Sequence, residues 1–223
     1  MLTSALSVPG IARDVTVGSW DLPGFLSIPK NASALVVFAH GSGSSRFSLR
    51  NRQVATALNR AGLATLLFDL LHPQEEMVEG RARVFDIPFL AGRLMDAVEW
   101  ADVAMGDKTQ PIGLFGASTG AAAALVAAAE LGDRINAVVS RGGRPDLAGE
   151  ALDNVTAPTL LIVGGEDHGV IELNQHALSR LKGLASLEIV PGATHLFPEL
   201  GAMEQVTALA IDWFERYLTS CPT

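Results

Sequence analysis

Six short stretches are apolar at nearly every position: Leu35–Ala39, Leu63–Phe68, Ile112–Phe115, Ile135–Val139, Thr159–Val163 and Leu187–Val190. A half-exposed strand alternates apolar and polar side chains. Runs without alternation predict strands covered on both faces, as in a parallel sheet. Between the runs the apolar spacing changes to three and four residues. Val54, Ala57, Leu58 and Ala61 form one stripe, and Leu90, Leu94, Ala97, Val98 and Ala101 a second. Leu173, Ala177, Leu178 and Leu181 form a third, and Val206, Leu209, Ala210, Trp213 and Tyr217 the last. Each stripe predicts a helix with one buried face. Strand and helix alternate to the end, so the expected fold class is α/β with a doubly wound, mostly parallel sheet. The start differs. Val15–Val17 and Gly24–Ile28 flank turn residues including Asp21 and Pro23, which predicts an antiparallel N-terminal edge pair. With no repeat or linker in between, one domain over residues 1–223 is expected.

In such sheets ligands sit beyond the carboxyl ends of the strands. The segments that follow the runs are polar and rich in glycine: His40-Gly-Ser-Gly-Ser-Ser-Arg46, Asp69-Leu-Leu-His72, Gly116-Ala-Ser-Thr-Gly120, Ser140-Arg-Gly-Gly-Arg144, Gly164-Gly-Glu-Asp-His168 and Gly192-Ala-Thr-His195. Gly116-Ala117-Ser118-Thr119-Gly120 matches G-x-S-x-G, between an apolar strand and the Ala-rich helix from Ala121 to Glu130. A serine held on a sharp strand-to-helix turn needs small neighbours, and Gly116, Ala117, Gly120 and Ala121 are all small. The bland alternative is a glycine-rich turn whose serine merely caps the helix.

A serine hydroxyl is a weak nucleophile until a base takes its proton. His195 follows the last expected strand and Asp167 the one before it, both at the end of the sheet that carries Ser118. The candidate catalytic residues are therefore Ser118, Asp167 and His195, in the chain order Ser, Asp, His. Asp167 orients the imidazole and stabilises the imidazolium. Read singly, His195 is a loop histidine and Asp167 a helix N-cap. Asp146, after the earlier strand, is the alternative acid. The glycine-rich loop at His40-Gly41-Ser42-Gly43 can turn a backbone N–H toward the serine. Ser42, paired with the N–H of Thr119, is the expected oxyanion hole, with Gly43 as the neighbouring option. His40 reads as a brace for the loop.

These motifs resemble those of the α/β-hydrolase fold and, within it, the dienelactone-hydrolase-like family. The resemblance runs from about Asp14 to Tyr217 and rests on His40-Gly-Ser-Gly, Gly116-Ala-Ser-Thr-Gly, Gly165-Glu-Asp167 and Gly192-Ala-Thr-His195. It implies hydrolysis of small esters or lactones through an acyl-enzyme, without a cofactor. Dienelactone hydrolases proper carry cysteine at the turn where this chain has Ser118. A thioesterase, a peptidase, an acyltransferase or a non-catalytic binding protein on the same fold are the alternatives.

Only Arg141 to Pro158 separates two of the strands where relatives of this fold insert a cap, which leaves room for one short helix and no cap domain. Leu71 to Pro88 is long and charged, and reads either as a lid or as a solvated loop. Gly43, His72 and Arg141 are the candidate substrate-binding residues. A guanidinium at Arg141 or Arg144 could fork onto a substrate carboxylate, but an ion pair with Asp146, Glu150 or Glu166 is the more economical expectation. Arg46 invites the same two readings. His168 with Glu166 lacks further ligands, so no metal is expected.

With 16 Lys+Arg against 24 Asp+Glu, a formal charge of -8 argues against nucleic acid or an anionic membrane as the main partner. A small-molecule substrate is the expected partner, with a homodimer left open. The opening MLTSALSVPGIARDV has no basic start and no long apolar core. The apolar run from Ala121 to Ala129 is too short to span a bilayer, so a cytoplasmic protein is expected. The lone cysteine, Cys221, makes no intrachain disulfide.

Overall fold

The structure, a computed structural model, describes residues 12–79, 81–106 and 109–219. Cys221 and the opening residues 1–11 lie outside them. The strands are β1 (Arg13–Val17), β2 (Leu22–Ser27), β3 (Leu35–Ala39), β4 (Ala64–Phe68), β5 (Ile112–Ala117), β6 (Ile135–Arg141), β7 (Thr159–Gly164) and β8 (Ala185–Val190). They form one sheet in the order β1-β2-β4-β3-β5-β6-β7-β8. β1 pairs antiparallel with β2, and β2 antiparallel with β4; β3 to β8 run parallel. This is the α/β sheet with an antiparallel N-terminal pair that the apolar pattern implies. The order turns at β3, whose neighbours β4 and β5 carry the chain off in opposite directions. Such a switch point leaves a crevice above the strand ends.

The helices are α1 (Leu49–Arg60), α2 (Pro73–Glu79), α3 (Arg81–Val84), α4 (Ile87–Ala104), α5 (Thr119–Leu131), α6 (His168–Arg180) and α7 (Ala202–Leu218). Alternate strand residues feed opposite faces. Leu35, Val37 and Leu114 pack under α4 and α5, while Val36, Phe38 and Phe115 pack under α1 and α7. The Phe38 and Phe115 rings are 4.8 Å apart and both are buried. Each ring contributes about 2–3 kcal/mol by area, directly before the loops that carry the polar clusters. α5 is apolar all round and buried, which suits a helix enclosed between sheet and neighbours.

Two expectations change. β8 is an edge strand with Glu188 and Ile189 exposed, so it is not covered on both faces. The seam of α6 is set by Asn174 and Ala177, and Leu173, Leu178 and Leu181 are only half-buried. Asn174 Nδ2 donates to the Gly143 carbonyl at 3.1 Å, so this helix holds the loop after β6. Two strands also outrun their apolar stretches by two residues at the carboxyl end. β5 continues through Ala117 and β6 through Arg141, because Gly116 pairs with Ser140 and Ala117 with Arg141. The connection from Arg141 to Pro158 contains a short 3₁₀ segment, Pro145–Asn154, and no cap. Among the described residues no helix is long and apolar enough to cross a membrane.

Candidate active site

Ser118 sits between β5 and α5 with φ 52° and ψ -121°. A non-glycine residue there carries about 1–3 kcal/mol of strain, so its surroundings must hold it. A Cβ on Gly116 would lie 2.4 Å from Ala121 Cα, and one on Gly120 2.3 Å from the Ala39 carbonyl oxygen. Only glycine lets the helix approach this closely. The serine backbone is also stitched to the exit of β6. Ser118 N–H donates to the Arg141 carbonyl at 3.2 Å, and its own carbonyl accepts from Arg144 and Ala121, each at 3.1 Å. Ser118 makes no side-chain capping bond, which sets aside the helix-cap reading.

The loops after β7 and β8 are tied to each other before they reach the serine. Gly165 N–H donates to the Val190 carbonyl at 2.8 Å, and Glu166 N–H to that of Ala193 at 2.9 Å. This fixes Asp167 against His195. Asp167 holds the N-cap position of α6, yet its carboxylate makes no capping bond. Asp167 Oδ2 instead lies 2.6 Å from His195 Nδ1, and His195 Nε2 lies 3.4 Å from Ser118 Oγ. A carboxylate only accepts, so Nδ1 carries the proton and Nε2 faces the hydroxyl as an acceptor. Asp146, the alternative acid, is engaged elsewhere: Arg144 donates to it twice, at 2.8 and 2.7 Å.

The loop after β3 folds over the start of α5. His40 is buried and braces it: Nε2 accepts from Leu70 N–H at 3.0 Å, and Nδ1 lies 2.9 Å from the Gly41 carbonyl. Those partners place the proton on Nδ1. Ser42 N–H donates to Thr119 Oγ1 at 2.8 Å, so the hydroxyl already occupies this donor. Thr119 N–H opens α5 and has no partner within the helix. Gly43 has φ 67° and lines the same cavity.

That cavity has a volume of about 420 Å³ and is bounded by residues 41–44, by Ser48, Arg50 and Asn51 at the start of α1, and by Ala117, Ser118, Arg141, His195 and Leu196. Arg141, the last residue of β6, is 5% exposed. Its Nη2 lies 3.5 Å from Asn51 Oδ1, and its Nε has no partner. Burial pulls its guanidinium down to about 10, and the neighbouring charge of Arg50 adds to the effect. The ion pair expected at Arg141 does not form. It forms at Arg144, which leaves the strand and reaches Asp146. Glu166 lies 3.9 Å from His168, both exposed. Arg46 takes the ion-pair alternative: it pairs with Asp69, and its backbone N–H donates to the same carboxylate at 2.6 Å.

His72 is not brought to the cavity. Its Nε2 donates to the Trp20 carbonyl at 2.8 Å, because the chain turns into α2 and carries the ring toward the β1–β2 turn. The stretch 71–88 is largely helical, and Glu75 of α2 is clamped by Arg93 of α4 at 2.7 and 2.6 Å. Leu71 and Val84 border the flank of the loop after β3, beside Ser42 and Thr119. The residues that sequence reasoning passed over are Arg50 and Asn51. In Ser48-Leu-Arg-Asn-Arg they read as a polar helix start. The clue was their position one loop after β3.

A family model described as an alpha/beta hydrolase domain matches residues 32–212. A dienelactone hydrolase from Anabaena variabilis of known structure is 54% identical, with a TM-score of 0.88, over 94% of this chain and 99% of that one. A protein of Mycobacterium tuberculosis bearing the name "Putative phosphoribosyl transferase" is 57% identical over 204 residues, 92% of this chain and 46% of that protein. The chain thus spans about half the length of the curated relatives it matches. Est1E from Butyrivibrio proteoclasticus, at 19% identity and a TM-score of 0.77 over 95% of this chain and 100% of its own, shares the fold.

Proposed function

The chain belongs to the α/β-hydrolase family, on its dienelactone-hydrolase-like branch, and from that premise we propose that it is a serine hydrolase of small carboxylic esters or lactones. The observation that carries this reading is the hydrogen-bonded series Ser118 Oγ, His195 ring, Asp167 carboxylate, at 3.4 and 2.6 Å. Ser118 attacks the carbonyl carbon while His195 Nε2 takes its proton, and His195 then protonates the departing alkoxide. Water repeats the sequence on the acyl-enzyme and releases the acid. Asp167 holds the reactive tautomer and stabilises the imidazolium. The longer first contact shortens once a substrate closes the site.

Thr119 N–H and Ser42 N–H are the proposed oxyanion donors. For Ser42 to serve, Thr119 Oγ1 must rotate away and yield its place to the oxyanion. Each donor is worth about 2.7–4 kcal/mol of transition-state stabilisation. The transferase name belongs to relatives of about twice the matched length, and the hydrogen-bonded series at Ser118 is what favours the hydrolase reading over it. The test is turnover of p-nitrophenyl acetate together with labelling by a fluorophosphonate. Ser118→Ala is expected to abolish labelling and to lower kcat by on the order of 10⁴-fold or more. Undiminished turnover in that variant defeats the reading.

A further inference from the structure

The cavity beside Ser118 holds more positive charge than the protein itself neutralises. Arg141 is almost fully buried, with one long bond to Asn51 and an unpartnered Nε. Arg50 lines the same cavity, and its Nε is likewise buried without a partner. No ion pair reaches either guanidinium among the described residues, and no carboxylate lines the cavity. A buried cation without a counter-charge is costly, and a second cation nearby adds repulsion. The chain as a whole is acidic, at -8, so carboxylates were available to fill this position.

We infer that Arg50 and Arg141 form an anion-recognition site, and that the ester cleaved at Ser118 carries a phosphate monoester group. The second half of this inference rests on the hydrolase reading above, whereas the binding of the anion does not. The charge count favours phosphate over carboxylate. One carboxylate satisfies one guanidinium fork, whereas a phosphate dianion offers three terminal oxygens and matches two cations. The cavity also contains the first turn of the twelve-residue helix α1, where Ser48 is the N-cap and Arg50 and Asn51 follow. The positive end of that helix dipole points toward the same volume. In the reaction the phosphate is an anchor and its P–O bonds stay intact. The bond that forms joins Ser118 Oγ to the acyl carbon. The bond that breaks joins that carbon to the ester oxygen, which leaves with the proton relayed by His195.

Three substrates separate the possibilities: p-nitrophenyl butyrate and its counterparts ending in carboxylate or in phosphate. The phosphate ester is expected to lead the neutral one in kcat/KM by about 10- to 100-fold, the range for hydrogen bonds to charged groups. Inorganic phosphate is expected to inhibit butyrate cleavage competitively. Arg50→Gln and Arg141→Gln should each reduce the phosphate preference by about tenfold or more. Arg141→Lys, which keeps the charge but loses the fork, should fall between them and the parent. If Arg141→Gln does not fold, Arg50→Gln and Arg141→Lys carry the comparison. Equal rates on all three esters without phosphate inhibition would overturn the anion site, and a preference for the carboxylate ester over the phosphate ester would overturn the phosphate assignment. Calorimetric titration of Ser118→Ala protein with inorganic phosphate separates the two readings. Heat of binding in a protein whose parent cleaves no ester refutes the hydrolase and leaves the anion site standing. Absence of binding alongside normal ester cleavage refutes the anion site alone.

Discussion

Two buried arginines sit at opposite flanks of the same sheet end, and the chain treats them differently. In α4, Arg93 is 2% exposed and held by Glu75 of α2 through both carboxylate oxygens. It also donates to the Leu70 carbonyl at 3.1 Å and lies over the Phe89 ring at 4.5 Å. At the cavity, Arg141 is buried nearly as deeply and has Asn51 at 3.5 Å and the Phe197 ring at 5.9 Å, but no carboxylate. A buried charge is tolerated when its partner lies within the fold. The first arginine is a brace that ties α2 to α4. The second costs stability in the free protein, which makes sense where the missing partner comes from outside. The two regions should therefore answer mutation in different currencies: stability for one, turnover for the other.

The largest effect is expected at the cavity. Asp167→Asn should lower kcat on short p-nitrophenyl esters by about 10⁴-fold with little change in Tm, since it spoils the His195 tautomer and leaves the loops tied. Asp146→Asn, which weakens the bond to Arg144, should lower kcat by less than about tenfold. Equal losses would erase the distinction between these loops. At the brace the result should invert. Glu75→Gln leaves the Arg93 charge buried and unpaired, and should lower the unfolding free energy by about 2–4 kcal/mol in urea titration. That is below the roughly 3–5 kcal/mol of a fully enclosed pair because Glu75 is partly exposed. kcat should move little. A large fall in kcat with unchanged stability would mean that the stretch 71–88 serves catalysis directly.

The contrast between the regions also separates what the sequence discloses from what it hides. The turn at Ser118 was legible because its constraint is local: Gly116, Ala117, Gly120 and Ala121 are small for one steric reason, and they flank the serine within three residues. His195 and Asp167 were legible because strands without alternation mark where each loop begins. Arg141 was legible as a residue at the right strand end, but its isolation was not. That depends on Arg144, and not Arg141, claiming Asp146, which their common nearness to it in the chain cannot foretell. Arg50 and Asn51 were hidden because a polar first turn looks alike whether it faces solvent or a cavity. The Glu75–Arg93 clamp joins residues 18 apart on two different helices, a pairing that no periodicity within either helix discloses. The half-burial of β8 is a property of its place at the sheet edge, which its own residues do not state.

A smaller effect should come from removing the charge at the cavity. Arg141→Met keeps an unbranched apolar stem as far as the Nε position and discards a buried cation without a carboxylate partner. It should be neutral or stabilising by about 1 kcal/mol, the usual sign where a site trades stability for function. The matching change at the brace, Arg93→Met, should destabilise, because it strands Glu75. If Arg141→Met destabilises as much as Arg93→Met, then Arg141 is a structural cation and the comparison fails.

The smallest and most specific effect concerns acid. Burial pushes the Glu75 carboxyl up, but the Arg93 hydrogen bond, the His72 N–H and the Arg93 charge together outweigh it and hold the group below the usual range. A carboxyl depressed by folding stabilises the folded state fully above its unfolded value of about 4.3, and loses that contribution as pH falls through its folded value. The stability gap between the parent and Glu75→Gln should therefore stay constant from neutral pH down to about 5, then narrow as the solution becomes more acidic. Arg141 has no carboxyl partner, so the corresponding gap for Arg141→Met should show no such acid step. Urea titrations of both pairs across this pH range make the comparison directly. An acid step of equal size in both would mean that an unassigned carboxyl supports Arg141, and the cavity would then have no vacancy for an external anion.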